Sequence, residues 1–268
     1  MAVAVAVLIW VLAIAIVFLF GLSYLGNVSW SFPQLITNFS EIDSQFYLTL
    51  IITGLAFFIS HLILGYFIYK YKNNNTSVKY SLGNSKLEIF YALFVGVVFI
   101  SLAVMSQRIW GKIYFSTPQN VLQIEATGEQ FRWIFRYSGE DNKFGEANLS
   151  LIDKNANPLG LDEKNIDSKD DIVKISELVI PVNQPIKLVL RSHDVMHSFF
   201  APNLRVKQDA IPGLLMVRQF QANKIGEYEI ACAELCGQDH YKMRAKLIVL
   251  SKEDFEKWIK SNELIKKQ

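Results

Sequence analysis

The residues best suited to chemistry are concentrated in one short stretch, Cys232 to Met243, which reads CAELCGQDHYKM. It contains both cysteines of the 268-residue chain, four positions apart, followed by His240 and the methionine. Residues of these types at this spacing could close a disulfide, bind zinc or bind copper. A disulfide leaves the histidine and the methionine without a role, and a thioether is a poor zinc ligand. Sulfur-rich sets with imidazole and a thioether are typical of copper electron-transfer centres, so copper is the favoured interpretation.

A copper site of this kind needs one more ligand, and the segment RSHDVMHSFF offers His193 and His197. A single histidine in a strand is usually an ordinary packed or surface residue. Here two histidines lie near the end of a predicted strand, and a later loop already offers two thiols, an imidazole and a thioether. A remote histidine and a compact ligand loop are how cupredoxin-like sites are assembled.

The composition indicates membrane helices joined to a globular part. Hydrophobic residues make up 51% of the chain, more than ordinary soluble domains contain. The formal net charge is only +2, and no stripe of lysine and arginine with interleaved aromatic residues is present. Nucleic acid is therefore not an expected partner.

Three long apolar runs near the N-terminus each approach the length that crosses a bilayer. The first covers residues 1–22. It lacks a basic start and a small-residue cleavage site, which favours an extra membrane span over a signal peptide. The other two runs, residues 46–71 and 87–104, predict a transmembrane hairpin within residues 45–109.

The charges between these runs predict the orientation of the chain. The loop inside the hairpin has no acid and carries Lys70, Lys72, Lys79 and Lys86. By the positive-inside rule this loop is cytoplasmic. The preceding connection has Glu41 and Asp43 and no base, which predicts the outer side of the membrane. The N-terminus is then inside, and the chain after Arg108 is outside.

The outer portion follows a predicted linker of residues 110–120 and reads as β-structure. Short β-branched and aromatic segments separated by turn residues run through residues 121–250. They predict a β-sandwich or Greek-key barrel of the cupredoxin type. The polar stretch of residues 139–171 is predicted to be a surface excursion. The fold class is therefore a membrane-anchored all-β protein.

The C-terminal residues 251–268 predict a helix laid on this domain. Ser251 and Asp254 have the spacing of a helix-capping pair. Phe255, Trp258 and Ile259 then recur at helical spacing, which gives the helix one apolar face.

Three motifs, DVMHSF, LRVKQDAIPG and CAELCGQDHYKM, resemble in order and spacing those of subunit II of the haem-copper cytochrome c oxidases. The resemblance covers roughly residues 45–258. It implies a membrane-anchored cupredoxin domain that is assembled with oxidase subunit I and other oxidase subunits. It further implies a multi-pass protein of the bacterial inner membrane, with its copper domain on the periplasmic side.

The resemblance also implies a binuclear copper-A centre. This centre would accept electrons from cytochrome c or a cytochrome-containing complex and pass them to haem in subunit I, where oxygen reduction is coupled to proton translocation. Cys232 and Cys236 would bridge the two metals. The implied metal-binding residues are His197, Cys232, Glu234 through its carbonyl, Cys236, His240 and Met243. His193 is then a neighbour of the centre and not a ligand.

Two glutamates gain further roles from the resemblance. The side chain of Glu234 would reach a magnesium or manganese ion at the interface with subunit I, because carboxylate oxygen suits such hard ions. Glu88 would lie at the mouth of a proton pathway that leads to the haem-copper site. The motif GEQFRW places Phe131 where many members have the tryptophan that receives electrons, while Trp133 keeps the second aromatic position. Phe131 and Trp133 are the candidate surface through which electrons arrive.

Acidic residues near Phe131 affect which electron donor could dock there. Five acids lie close in sequence to Phe131, His197 and the copper loop, which is the stretch from Cys232 to Met243. They are Glu129, Glu140, Asp141, Asp194 and Asp239. On one face they would steer a basic cytochrome, although Arg132, Arg136 and Lys207 dilute that field.

Three other classes of protein share features with this sequence. A membrane-tethered copper chaperone or assembly protein is the alternative function, although the thioredoxin type would show a βαβ pattern. Quinol oxidase subunits of similar architecture lack the copper ligands that this chain retains. Nitrous oxide reductase carries the same motif on a propeller enzyme that is too large for this chain.

Overall fold

The computed structural model describes residues 1–25, 32–72, 83–115, 118, 120–139, 141, 143–162 and 164–266. Lys79 and Glu140, named in the sequence predictions, lie outside these residues. The chain divides into two compact units. The first comprises Met1–Pro33 and Ser40–Gly111, and the second comprises Gln34–Phe39 and Lys112–Gln268.

The first unit is built from three apolar helices, α1 (Ala2–Tyr24), α2 (Ser40–Lys70) and α3 (Ser85–Phe115). By length and composition each can cross a membrane. Helix α2 begins before the apolar run because Glu41 and Asp43 in its first turn favour the positive end of the helix dipole. Helix α3 continues to Phe115, into the stretch predicted as a linker.

Helices α1 and α2 pack closely through small residues. Ala6 and Ala13 are fully buried. Between them Trp10 lies over Gly65, where a Cβ atom would be 2.3 Å from the indole nitrogen. That nitrogen also donates to the Leu62 carbonyl at 3.3 Å. Small residues that let two backbones approach are typical of neighbouring membrane helices.

In the described part of the second unit, ten strands form two five-stranded sheets. In chain order they are β1 (Leu122–Glu129), β2 (Arg132–Tyr137), β3 (Ile172–Ile175), β4 (Glu177–Pro181), β5 (Pro185–Ser192), β6 (His197–Ala201), β7 (Val206–Ala210), β8 (Met216–Gln221), β9 (Gly226–Cys232) and β10 (Arg244–Leu250). The sheet orders are β3-β2-β1-β5-β8 and β4-β10-β9-β6-β7. Strands β1 and β5 pair in parallel, as do β4 and β10, and the other pairs are antiparallel. The predicted fold class, apolar helices followed by a β-sandwich, is confirmed.

The sandwich core lies between the two sheets. Its largest fully buried side chains include Trp133, Tyr137, Phe135 and Phe199. Helix α4 (Lys252–Lys266) packs Phe255, Trp258 and Ile259 against this core.

The predicted cap starts this last helix. The Ser251 hydroxyl accepts from the Asp254 amide at 3.1 Å and donates to the Asp254 carboxylate at 2.7 Å. Such caps satisfy a backbone donor that the first turn of a helix leaves unpaired.

Residues Gln34–Phe39, just before α2, belong to the β-domain, which the sequence pattern did not indicate. Ile36 is fully buried in the sandwich core. Its amide donates to the Asn203 carbonyl at 3.0 Å, and its carbonyl accepts from the Asn223 amide at 2.7 Å. Thr37 forms a bridge with Ala222. One buried isoleucine in a polar connection is too weak a signal to be read from hydrophobic periodicity.

The polar excursion of residues 139–171 is more than a surface loop, and the prediction is corrected here. Leu159 and Leu161 pack on Ile134 and form a second small hydrophobic cluster. The excursion also supplies Asp171, which is fully buried and ion-paired to Arg136. The arrangement follows from Arg136, because a guanidinium on a covered strand needs acceptors close by.

Arg136 is held on several sides. Its Nε atom donates to Asp171 at 3.0 Å, and its Nη1 atom donates to Glu125 at 3.2 Å. The Gly145 carbonyl accepts from Nη2 at 2.6 Å. Glu125 in turn accepts from Arg191 at 2.7 Å. Pairs and hydrogen bonds of this kind are what allow charges to be buried.

Asp171→Ala should lower the free energy of unfolding by about 3 kcal/mol, because it leaves the Arg136 guanidinium buried with fewer partners. Chemical unfolding of the full chain in detergent, followed by tryptophan fluorescence, measures the change. Glu227→Gln is the matched control, since it breaks the pair with Lys246 in which both side chains are 68% exposed. An equal loss in the two variants would contradict the role of the buried pair.

Candidate metal centre

The site is built by two neighbouring strands and the loop that follows one of them. Strand β6 begins at His197, and its partner β9 ends at Cys232. Phe199 lies opposite Cys232 in this antiparallel pair. Because side chains alternate along a strand, His197 is on the same face as Phe199 and so reaches the start of the cysteine loop. The remaining candidate ligands lie on the loop between β9 and β10.

The structure brings all six candidate ligand groups together. The Sγ atoms of Cys232 and Cys236 are 3.9 Å apart. His197 Nδ1 is 3.9 Å from the first sulfur, and the Glu234 carbonyl oxygen is 3.2 Å from it. The second sulfur is 3.5 Å from His240 Nδ1 and 3.8 Å from Met243 Sδ. Each proposed ligand is thus within 4 Å of one of two sulfurs.

The ligand groups lie in a largely buried site. His197 is fully buried, and Cys236 and Met243 are nearly so. Both cysteines are free thiols, and their sulfur separation is far longer than a disulfide bond of about 2.05 Å. Among the described residues, the side chains of His197, Cys232 and Cys236 form a group that could hold a metal ion. A pocket that is closed, sulfur-rich and supplied with imidazoles suits copper.

The two thiols differ in acidity. Burial opposes ionisation of Cys232, but hydrogen bonds from His197 and from the backbone of Ser198 outweigh it and lower the pKa to about 6. Burial and the neighbouring Cys232 charge raise the pKa of Cys236 to about 12. These opposite shifts favour ionisation of one thiol over ionisation of both. A cation next to both sulfurs would draw off the second proton.

His197 is oriented by residues around it. Its Nε2 atom is 2.8 Å from Asp194 Oδ1, which leaves Nδ1 facing the sulfurs. Burial lowers the pKa of His197, but Cys232 and Asp194 outweigh that effect and raise it. A Cβ atom at Gly128 would lie 2.7 Å from the imidazole, so only glycine fits beneath the ring. Carboxylates that hold the far nitrogen of a ligating histidine are common in metal sites.

His193 is placed differently from His197. It is an exposed residue, and its backbone amide donates to the Gly128 carbonyl at 3.0 Å. Burial lowers the pKa of its imidazole. The group of candidate metal-binding side chains does not include it.

The two aromatic residues of the GEQFRW motif occupy different environments. Trp133 is fully buried, with its ring edge-on to His197 at 6.0 Å between centroids. The prediction that Trp133 forms part of a surface is therefore wrong, because its ring fills the sandwich core. Phe131 is only partly buried and lies over the copper loop, where a Cβ atom at Gly237 would be 3.0 Å from its ring.

Three of the five acids near the site have basic or imidazole partners. Glu129 is paired with Arg132 at 2.8 Å, and Asp239 is paired with Lys242 at 2.9 Å. Asp194 faces His197. The charges of Glu129 and Asp239 are thus compensated by a neighbouring base. The sequence could not show this, because the pairing depends on side-chain directions at a hairpin and in a short helical turn.

Sequence reasoning missed Gln130 at the tip of the hairpin between β1 and β2. Its side-chain amide donates to the Cys236 carbonyl at 2.5 Å, and its backbone amide donates to Asp194 at 2.8 Å. The only signal was its position next to Phe131, since a polar residue in a hairpin is otherwise unremarked.

The two glutamates singled out from the sequence lie in separate units. Glu234 is a partly buried residue on the copper loop of the second unit. Glu88 is an exposed residue in the first turn of α3 in the first unit. Its backbone amide donates to the Asn84 carbonyl at 3.0 Å.

Comparison with known proteins gives a consistent family. The sequence model of the cytochrome c oxidase subunit II periplasmic domain matches residues 122–251. The alternative cytochrome c oxidase subunit 2 of Bradyrhizobium diazoefficiens is 30% identical over 236 residues, which cover 87% of this chain and 84% of that protein. A probable cytochrome c oxidase subunit 2 of Rickettsia felis is 33% identical over 217 residues, covering 80% of this chain and 65% of that protein.

Solved structures give the same family name. The periplasmic domain of subunit II of cytochrome oxidase from Bradyrhizobium japonicum is 32% identical, with a TM-score of 0.41, and the match covers 55% of this chain and 97% of that one. The Bradyrhizobium diazoefficiens relative aligns over most of both chains and shows the family of this one. This chain therefore belongs to the cytochrome c oxidase subunit II family, as a membrane-anchored component of an oxidase complex.

Proposed function

We propose that this chain is the electron-accepting subunit of a haem-copper oxidase. The proposed metal-binding residues are His197, Cys232, Glu234 through its carbonyl, Cys236, His240 and Met243. Together they would hold a binuclear copper-A centre, which when bound accepts one electron at a time and releases it toward haem in subunit I. The observation that carries the proposal is the convergence of these six groups within 4 Å of two neighbouring sulfurs.

The protein contributes a prepared and rigid set of ligands. His197 is fixed by its strand and by Asp194, and Cys232 is fixed by the end of β9. The Cys232 amide donates to the Met243 carbonyl at 3.0 Å, which closes the loop on itself. Ligands that are already in place and shielded from water change little when charge arrives, and small rearrangement favours fast electron transfer.

The alternative function, a membrane-tethered copper chaperone or assembly protein, fits these observations less well. A chaperone must release its metal to a partner, which favours exposed ligands on a flexible loop. Here His197 comes from a separate strand and is fully buried, and Met243 is 1% exposed. This arrangement favours a resident centre.

The two halves of the chain have separate proposed tasks. The hairpin of residues 45–109 and the additional helix near the N-terminus would anchor the protein in the bacterial inner membrane. The copper domain of residues 121–250 would lie on the periplasmic side. The lengths of the three helices and the lysines at the inner end of the hairpin support this orientation.

Copper content tests the proposal directly. The full chain should bind two copper ions and show an electron paramagnetic resonance spectrum in which one unpaired electron is shared equally by both. Cys232→Ser and Cys236→Ser should each abolish this spectrum, because each sulfur would bridge both metals. Ser261→Ala, on α4 outside the loop, is the control. One copper per chain in the wild type would contradict a binuclear centre.

A second metal is proposed at Glu234. Its backbone carbonyl points to the Cys232 sulfur, whereas its partly buried side chain would bind a different metal ion. Carboxylate oxygen suits magnesium or manganese, which would lie at the interface with subunit I.

Glu88 is proposed to lie at the mouth of a proton pathway. Its carboxylate is exposed in the first turn of α3, next to the lysine-bearing loop predicted to be cytoplasmic. Glu88→Gln should slow proton delivery and turnover of the assembled oxidase several-fold while leaving copper content unchanged. Glu88→Asp should restore most of the turnover, since it restores the acid.

Oxygen consumption and single-turnover haem oxidation measure this effect in the assembled oxidase. Glu41→Gln is the matched control, because Glu41 also lies in the first turn of a membrane helix but on the predicted outer side. Unchanged turnover in Glu88→Gln would reject the role.

The proposed donor is cytochrome c or a cytochrome-containing complex. Because Glu129 and Asp239 are paired with bases, we expect copper reduction by a basic cytochrome c to depend only weakly on ionic strength. Lys242→Gln would leave Asp239 unpaired and should raise the rate at low salt by roughly twofold. Lys257→Gln, which releases Asp254 on α4, is the control.

Stopped-flow measurement of copper reduction at several salt concentrations gives these rates. A steep fall in the wild-type rate with added salt would show that an acidic field does steer the donor. No difference between Lys242→Gln and wild type at low salt would place the donor elsewhere on the domain.

A further inference from the structure

The tip of the β1–β2 hairpin touches both segments that supply the proposed copper ligands. The Gln130 backbone amide donates to Asp194 Oδ2 at 2.8 Å, while Asp194 Oδ1 is 2.8 Å from His197 Nε2. The Gln130 side-chain amide donates to the Cys236 carbonyl at 2.5 Å. A single residue therefore connects the histidine segment to the cysteine loop.

The contact between the hairpin tip and the copper loop is close. Gly237, directly after Cys236, has a φ of +138°, and a Cβ atom there would lie 2.7 Å from the Gln130 side-chain nitrogen. The same atom would be 3.0 Å from the Phe131 ring. Only glycine allows the loop to approach the glutamine amide and the adjacent aromatic ring this closely.

We infer that Gln130 is a positioning residue, which sets the distance between His197 and Cys236 before copper binds. This inference rests on the proposed copper-A function. His197 and Cys236 are 39 positions apart in the chain. The start of the loop is held to β6 by the β6–β9 pairing and by the Ala233 amide, which donates to the Ser198 carbonyl at 2.9 Å. Gln130 adds a link farther along the loop, at Cys236, through two hydrogen bonds that converge on one turn.

The amide group is suited to this task. It is an uncharged donor, so it holds the Cys236 carbonyl without adding charge to the site. A glutamate of the same shape would face that carbonyl with an acceptor and would push the loop away. A leucine would fill similar space but would leave the carbonyl without its donor.

The test compares the full-length chain in detergent with Gln130→Leu, Gln130→Glu and Gln184→Leu. Gln184 is the matched control, because its side-chain amide also donates to a backbone carbonyl, that of Asn120. It lies at the start of β5, whereas the histidine segment follows the end of that strand.

Two measurements are made on each protein. In the metal-free, reduced chain, alkylation of Cys236 by iodoacetamide should be roughly three- to tenfold faster in both Gln130 variants, as expected when one hydrogen bond no longer restrains a loop. In the copper-loaded chain, metal loss to a chelator should be about tenfold faster, and the paramagnetic resonance spectrum should change, as for other residues that support metal ligands. Gln184→Leu should alter neither.

The outcomes separate this inference from the copper proposal. Wild-type rates and spectra in both Gln130 variants would overturn the positioning role even if two coppers bind. An equal change in Gln184→Leu would overturn it as well, because the effect would then be a general loosening of the domain. If the wild-type chain binds no copper, the copper proposal is rejected. Faster Cys236 alkylation in the Gln130 variants would in that case still support the positioning of the loop.

Discussion

The site depends on the pairing of β6 with β9. The register that places Phe199 opposite Cys232 brings an imidazole from one strand to a thiol at the end of the next. A shift of one residue would turn His197 to the other face of the sheet, away from the sulfurs. Phe199 shares this face of β6 with His197 and packs edge-on against Trp133 of the other sheet. Such a shift is unfavourable because the Phe199 ring would leave the core. The hydrophobic core thus fixes the register, and the register fixes the metal centre.

The loop after β9 adds the ligands that no strand can supply. Two sulfurs, an imidazole and a thioether cannot all point to one place from a strand, since successive side chains alternate. A loop closed by the Cys232–Met243 backbone hydrogen bond can turn them inward together. The hairpin at Gln130 then covers this loop from the neighbouring sheet. Both sheets of the sandwich therefore contribute to one small site.

Much of this organisation was predictable from the sequence. The apolar runs predicted the three helices, because hydrophobic length is a strong signal. Residue types and spacing identified the ligand loop and two candidate histidines, and the family resemblance selected His197. The structure brings His197, Cys232 and Cys236 together. What the sequence could not show are contacts between polar residues far apart in the chain, such as Arg136 with Asp171 and Gln130 with Cys236. These contacts have no periodicity and depend on which loops fold over which strands. Trp133 illustrates the same limit, since a motif identifies an aromatic residue but not whether its ring faces the core or the solvent.

The two cysteines of the loop differ in acidity. Despite its burial, the pKa of Cys232 is lowered, chiefly by its hydrogen bond with His197, and that of Cys236 is raised by burial and by the neighbouring sulfur. Two full thiolates 3.9 Å apart would repel strongly in a buried site, which is why the second proton stays until a cation arrives. A cation bound beside both sulfurs would favour ionisation of both. Pairing of the nearby acids with Arg132 and Lys242 keeps additional negative charge away from this balance. Beside this loop the partly buried Phe131 ring lies close to Gly237, next to the Gln130 amide.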